Sequence, residues 1–179
     1  MWTIEAILIG KISAAAFGGV GLAVQVIIVV LTVLLTFIVG SSVIINRYLG
    51  AKNYWEANHI LGQALILGIF MAFAIAVLWY FGATHIFKLI KEGGSEAREA
   101  GITYLRTVAL FAPIVLTNFV ALGIIRGAGD TRHAMMINLS VNGLNLILAP
   151  LLIFGLFGLP RLEVRGAAMA MGIAHSMGL

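Results

Sequence analysis

Residues 12–46 read ISAAAFGGVGLAVQVIIVVLTVLLTFIVGSSVIIN and contain no charged side chain. An α-helix rises about 1.5 Å per residue, so roughly 20 residues cross the roughly 30 Å hydrocarbon core of a bilayer. Three further stretches, residues 57–87, 107–125 and 133–160, also lack Asp, Glu, Lys and Arg. The pattern predicts an all-α integral membrane protein, a helical bundle that crosses the bilayer several times.

The composition agrees with a lipid-embedded chain. Hydrophobic residues make up 61% and charged residues 10% of the sequence, whereas soluble domains carry about 25% charged residues. The net charge of +4 comes from Lys and Arg that are scattered among short connections, so we expect the lipid bilayer as partner and no nucleic acid. Cysteine is absent, which excludes disulfides and thiolate metal sites.

Short polar segments divide the chain into four predicted membrane spans, at residues 21–45, 57–81, 103–125 and 134–157. Residues 82–105 are predicted to form one long polar connection that contains a surface helix. Gly50 is a candidate C-cap of the first span, and Trp79 and Tyr80 are predicted to be interfacial aromatic residues. Residues 6–10 resemble the end of a helix and residues 166–179 the beginning of another, so we expect a part of a larger transport-type protein.

Three carboxamides, Asn138, Asn142 and Asn145, are spaced i, i+4, i+7 in the fourth span. At about 100° per residue they fall within roughly a 60° arc of the helix. An unpaired amide is costly in an apolar medium, so this face must meet another helix or a water-filled cavity. The pattern is equally compatible with hydrogen bonds between helices and with the lining of a path for a polar solute.

A second polar stripe consists of Gln25, Thr32 and Thr36 on one face of the first span. A threonine hydroxyl can bond to its own helix backbone, which favours a structural interpretation, although the stripe is also a candidate cavity lining. The Gly123/Gly127 pair at the end of the third span has the common G-x-x-x-G spacing and indicates little by itself.

Glu5 is the one carboxylate beside the apolar residues 6–10. It is either an exposed residue near the chain end or, if a helix continues before it, a carboxylate inside the membrane. An ionised carboxylate is costly there and is typical of a proton or cation site.

Enzyme chemistry is not indicated, and we predict no catalytic residues, no metal site and no cofactor. No Ser/His/Asp set or phosphate-binding loop is present. The four histidines lie far apart and off metal-ligand spacing, and we expect all of them at the membrane interface: His59, His85, His133 and His175.

Two kinds of backbone feature are expected to be structural. Arg126, Gly127, Gly129 and Asp130 belong to a turn in which Asp130 can cap the next helix. Pro113 and Pro150 lie inside predicted spans, where they leave carbonyl groups free and permit bending.

Several motifs resemble the N-terminal half of multidrug and toxic compound extrusion (MATE) transporters. The specific ones are RGAGDTR (residues 126–132), an Asn-bearing span, LLIFG (151–155) and VRGAA (164–168). Weaker ones are IGKIS (9–13), GVGLA (19–23) and RYLGAK (47–52). The resemblance implies the tail of helix one, helices two to five and the start of helix six. On that basis residues 1–179 form a single partial transmembrane lobe, and the second lobe is absent from this chain.

The same resemblance implies a function. Such proteins export organic, often cationic, compounds across the cell membrane in exchange for protons or sodium ions. Glu5 takes the place of the family's helix-one acidic residue, and Asn145 matches the family's helix-five Asn. Ala149 and Met171 depart from the family pattern, which often has Asp or Asn and Thr there. These departures favour a proton relay through Glu5 over a sodium site.

The resemblance also implies that Arg47, Lys52, Arg126 and Arg132 face the cytoplasm, although the raw count of basic residues weakly favours the opposite orientation. Two alternative functions remain open. A related lipid-linked saccharide flippase would be expected to have a richly basic cavity. A membrane scaffold subunit that does not transport would use the asparagine stripe for contacts between helices.

Overall fold

A computed structural model of the chain describes residues 7–90, 94–155 and 161–178, and all regular structure in those ranges is helical. The helices are, in chain order, α1 (7–10), α2 (Ala14–Gly50), α3 (Tyr54–Ile90), α4 (Ser95–Gly127), α5 (Thr131–Phe154) and α6 (Glu163–Met177). Four of them, α2 to α5, are long and apolar enough to cross a membrane. The predicted all-α membrane bundle is confirmed.

Helix α4 forms the centre of the bundle. It packs against α2, α3, α5 and α6, while α2 and α3 also contact each other and α5 packs chiefly on α6. Half of the most apolar segment of α4 is buried, compared with 22% for each of α2, α3 and α5. The outer helices therefore expose most of their apolar surface, as expected for helices that face lipid.

Glycines allow α2 and α4 to approach closely at both ends of their contact. A methyl group on Gly19 would collide with the backbone carbonyl of Ala97 in α4. At the other end, methyl groups on Gly123 and Gly127 would collide with the side chains of Ile38 and Ser42. The G-x-x-x-G pair thus lies in the α2/α4 interface, as small residues do where membrane helices pack closely.

The predicted polar connection at residues 82–105 is much shorter in the structure. Helix α3 continues to Ile90 and α4 already begins at Ser95, so the expected separate surface helix is wrong. Long helices exceed the bilayer core, and their charged ends need no separate element. Trp79 was misplaced for the same reason, because it lies within α3 and is only 1% exposed.

The α2–α3 and α4–α5 connections meet at one end of the bundle. The Asn46 side-chain amide, near the end of α2, donates a hydrogen bond to the Gly127 carbonyl at the end of α4. Gly50 is not the C-cap that the sequence predicted. Ala51 caps α2, and the left-handed residue of this turn is Lys52, with φ of 57°.

Helix α5 ends at Phe154, three residues before the predicted end of the fourth span. Gly155 follows with φ of 70°, a left-handed conformation that glycine adopts without steric cost, and its N–H bonds to the Leu151 carbonyl. The chain reaches α6 after this turn, and Gly166 of α6 lies against the backbone of Leu152. This close contact places α6 beside α5, and α6 also packs on α4.

Candidate functional site

A cavity of about 400 Å³ lies among α2, α3, α4, α5 and α6. Its wall is mostly apolar and draws more residues from the middle of α4 than from any other helix. The apolar and aromatic residues of the wall are Ile27, Leu31, Trp79, Val108, Ala112, Val115, Leu116, Phe119, Val141 and Met171. A few polar side chains in an apolar concavity of this size are typical of a small-molecule site.

Two of the three predicted asparagines, Asn138 and Asn142, line this cavity. Each donates its side-chain amide to the backbone carbonyl four residues earlier, Asn138 to Ala134 at 3.2 Å and Asn142 to Asn138 at 2.7 Å. Among the described residues these are their only hydrogen bonds, which leaves the side-chain carbonyl oxygens available. A carbonyl oxygen accepts hydrogen bonds and cannot donate them.

The third asparagine occupies a different environment. Asn145 is 2% exposed, is engaged in an interaction of its own, and does not belong to the cavity wall. One helical turn after Asn145, Ala149 is fully buried. The structure therefore brings Asn138 and Asn142 together at the cavity and places Asn145 inside the packed bundle.

The second predicted stripe does not reach this cavity. Gln25, Thr32 and Thr36 are exposed on α2, whereas the wall takes Ile27 and Leu31 from that helix. The Thr32 hydroxyl donates to the Ile28 carbonyl at 2.9 Å, and the Thr36 hydroxyl donates to the Thr32 carbonyl at 3.2 Å. Both threonines thus satisfy their hydroxyls on their own helix.

His175 lies in the cavity wall, so the interfacial position predicted for it is wrong. It is 6% exposed, its Nδ1 lies 2.9 Å from the Met171 carbonyl oxygen, and its ring stacks on Phe119 with 5.6 Å between ring centres. The histidines of α3 and of the α5 start, His59, His85 and His133, are exposed. The sequence did not indicate His175 as a cavity residue, because it belongs to no periodic polar stripe.

The MatE family profile matches residues 1–151. The chain belongs to the MatE family. The resemblance to multidrug and toxic compound extrusion transporters is thereby confirmed, and with it a multi-pass membrane protein.

Curated relatives of this MatE chain are transporters by name. It is 31% identical over 170 residues to a probable multidrug resistance protein NorM of Thermotoga maritima, covering 95% of this chain and 36% of that protein. It is 28% identical over 166 residues to a FAD transporter of Shewanella oneidensis, covering 90% of this chain and 36% of that protein. The chain therefore spans little more than a third of the length of these relatives.

Solved structures of MATE transporters share the fold. An outward-facing multidrug resistance MATE transporter superposes with a TM-score of 0.87 at 28% identity, covering 97% of this chain and 38% of that one. An inward-facing structure superposes with a TM-score of 0.88 at 28% identity, covering 98% and 39%. This MatE chain matches both conformations equally well.

The motif that carried the MatE resemblance forms the α4–α5 turn. Arg126 bonds to the Leu122 carbonyl, Gly127 ends α4, and Gly129 has φ of 93°. Asp130 caps α5 by accepting a hydrogen bond from the His133 backbone N–H at 3.2 Å. That bond, followed by the bond from the His133 side chain, lowers the pKa of Asp130 below its usual value of 3.8.

Both predicted kink residues lie inside helices of this MatE chain. Pro113 follows the cavity-lining Ala112 in α4, and the Thr117 hydroxyl donates to its carbonyl at 2.6 Å. Pro150 lies in α5. A proline removes one backbone donor, so each leaves the carbonyl four residues earlier without its usual partner.

The sequence did not predict the burial of two further polar groups in the MatE bundle. The indole nitrogen of Trp79 is buried without a hydrogen-bond partner among the described residues, and Asn118 of α4 is 2% exposed. Neither is part of a periodic polar stripe. Their burial depends on how α3 and α4 pack in the bundle.

Glu5, the predicted coupling residue, lies outside the described residues. Within the described ranges, no three or more His, Cys, Asp or Glu residues are grouped so as to hold a metal ion. Its described residues therefore give the cavity wall two carboxamides, an imidazole, ring faces and apolar surface.

Proposed function

We propose that this chain is one lobe of a secondary active antiporter that exports organic, often cationic, compounds across the cell membrane in exchange for protons or sodium ions. The single observation that carries the proposal is the 400 Å³ cavity inside the bundle of a MatE-family chain. Its size and mostly apolar wall suit a small organic molecule. The multidrug names of several relatives agree with this assignment.

The partner of the lobe is a second lobe of the same polypeptide. Support comes from the relatives, of which this chain covers little more than a third. The exposed stripe of Gln25, Thr32 and Thr36 would then face the cleft between lobes rather than lipid. The linked turns with Arg47, Lys52, Arg126 and Arg132 would face the cytoplasm.

We propose that the coupling ion is the proton. A hard cation such as sodium needs several oxygen ligands, as calcium and magnesium do. Ala149 is fully buried and Met171 lines the cavity, so neither position supplies a side-chain oxygen. Glu5 would carry the proton, and its neutralisation would shift the lobe between inward- and outward-open states.

The cavity does not favour the flippase alternative. Among the described residues that line it there is no Lys or Arg to hold a diphosphate. If the chain is a scaffold subunit that does not transport, the cavity binds no ligand. A binding measurement therefore distinguishes the scaffold from a transporter.

Replacing Glu5 by Gln tests the proposed coupling. We expect Glu5→Gln to abolish proton-coupled export by the complete transporter, because an amide cannot release a proton. Efflux of a fluorescent organic cation, driven by an imposed pH gradient in proteoliposomes, is the measurement.

The matched control is Glu99→Gln, which changes an exposed carboxylate at the start of α4. It should export at the wild-type rate. Wild-type export by Glu5→Gln would remove Glu5 from the mechanism.

A further inference from the structure

The position of the hydrogen on the neutral His175 ring follows from one contact. Its Nδ1 lies 2.9 Å from the Met171 carbonyl oxygen, and a carbonyl oxygen only accepts hydrogen bonds. Nδ1 must therefore carry the hydrogen. In the neutral ring Nε2 then has a lone pair and is an acceptor.

This acceptor has no partner of its own in the described part of the chain. The structure shows no hydrogen bond to Nε2, although the residue is 94% buried and belongs to the cavity wall. Unlike the indole nitrogen of Trp79, Nε2 is not fully buried, so it stays open to a partner that enters the cavity. A ligand in the cavity that donates an N–H would complete its hydrogen bonding.

Among the other polar groups of the wall, Asn138 and Asn142 also present acceptors, whereas the buried indole N–H of Trp79 is a donor. Asn138 and Asn142 each commit an amide N–H to their own helix, and their carbonyl oxygens remain. The wall also contains the rings of Trp79 and Phe119, whose faces carry partial negative charge. Acceptors and ring faces together complement a ligand that is positively charged and donates hydrogen bonds.

We infer that His175 makes this cavity selective for organic cations that carry an N–H donor, protonated amines, over quaternary ammonium ions with the same apolar body. The inference rests on the proposed function, because it assumes that the cavity receives the transported cation. A quaternary ammonium ion can use the ring faces but has no hydrogen for Nε2. A protonated tertiary amine of nearly equal size has one.

A matched pair of ligands separates these two classes. Benzyldimethylammonium and benzyltrimethylammonium differ by one methyl group in place of the N–H. Their dissociation constants are measured by calorimetry with the purified protein in lipid nanodiscs, at about pH 8, above the ordinary imidazole pKa of about 6.5. We expect the dimethyl ligand to bind at least about tenfold more tightly, the scale of one hydrogen bond with a charged partner.

Variants at position 175 assign the preference to the imidazole. His175→Leu and His175→Phe remove the acceptor, and His175→Phe keeps a ring against Phe119. Both should reduce the preference to about twofold or less while binding of the trimethyl ligand is retained, which reports an intact cavity. His175→Gln supplies a carbonyl acceptor and should keep part of the preference, and His85→Leu, at an exposed histidine, should keep all of it.

The outcomes distinguish the inference from the function beneath it. Equal binding of the two ligands by the wild type, or a full preference in His175→Leu or His175→Phe, overturns the role of His175 and leaves the cation cavity standing. Failure of both ligands to bind the wild type overturns the proposed function as well.

Discussion

Gly18 and Gly19 are neighbours in the chain, but only Gly19 touches another helix. A methyl group on Gly18 would meet nothing within 4 Å, whereas one on Gly19 would collide with backbone atoms of α4. Backbone cannot move aside as a flexible side chain can. The pair therefore offers a change and its control one residue apart.

We expect Gly19→Ala to destabilise the bundle by about 1–3 kcal/mol, the usual cost of overpacking. Gly18→Ala should be neutral or slightly stabilising, because alanine has the higher helix propensity. Thermal unfolding of both variants in detergent, followed by size-exclusion chromatography, measures the difference. Equal midpoints for the two variants would show that the α2/α4 contact is looser than described.

At the same scale, polar periodicity predicted only part of the cavity wall, because Asn145 and the stripe on α2 lie outside it. Asn138 and Asn142 stand one turn apart, so their shared face could be recognised, and both line the cavity. His175 and Trp79 face the same cavity from α6 and α3. Their positions depend on how distant helices pack, which a single sequence does not contain.

Among the elements, the beginning of α5 depends on one carboxylate. The Asp130 pKa is lowered by hydrogen bonds from His133, so its folded value lies below the unfolded value near 3.8. The stabilisation is therefore present above that pH and is lost as the pH falls through the folded pKa.

We expect Asp130→Ala to lower the unfolding temperature at about pH 7, and this difference from the wild type to shrink as the pH falls through the lowered folded pKa of Asp130, below which the wild-type carboxylate is also neutral. Asp130→Asn retains an oxygen acceptor for the cap and should lose less at neutral pH. Thermal unfolding by circular dichroism across this range is the measurement. A pH-independent difference would contradict the role of the charge.

The spans themselves could be predicted, and their ends could not. Four uncharged stretches predicted four membrane helices, and all four are present. The charged residues after Phe81 suggested that a helix had ended, yet α3 continues to Ile90. Hydropathy marks where a helix can enter lipid, whereas hydrogen bonding decides where it stops.

For the molecule as a whole, the same arrangement of helices fits two comparison structures in different conformations. It superposes with TM-scores of 0.87 and 0.88 on transporters in the outward- and inward-facing conformations. If alternation consists of lobes that rock against each other, distances within this lobe should stay constant.

Spin labels at Asn53 and Arg132, both exposed at the same end of the bundle, test this expectation. We expect their distance distribution to shift by less than about 2 Å between neutral and acidic conditions in the complete transporter. A control pair with one label in the second lobe should change. A large shift within the lobe would mean that its own helices rearrange.

The central position of α4 has a consequence for biosynthesis. Ribosomes add about 5–20 residues per second, so the 33 residues of α4 emerge about 2–7 seconds after α3 is complete. During that interval Gly19 and Gly68, which later receive α4, have no permanent neighbour there. The nascent hairpin of α2 and α3 must wait beside the insertion machinery with these surfaces against lipid or a chaperone, and only the third long helix completes their packing.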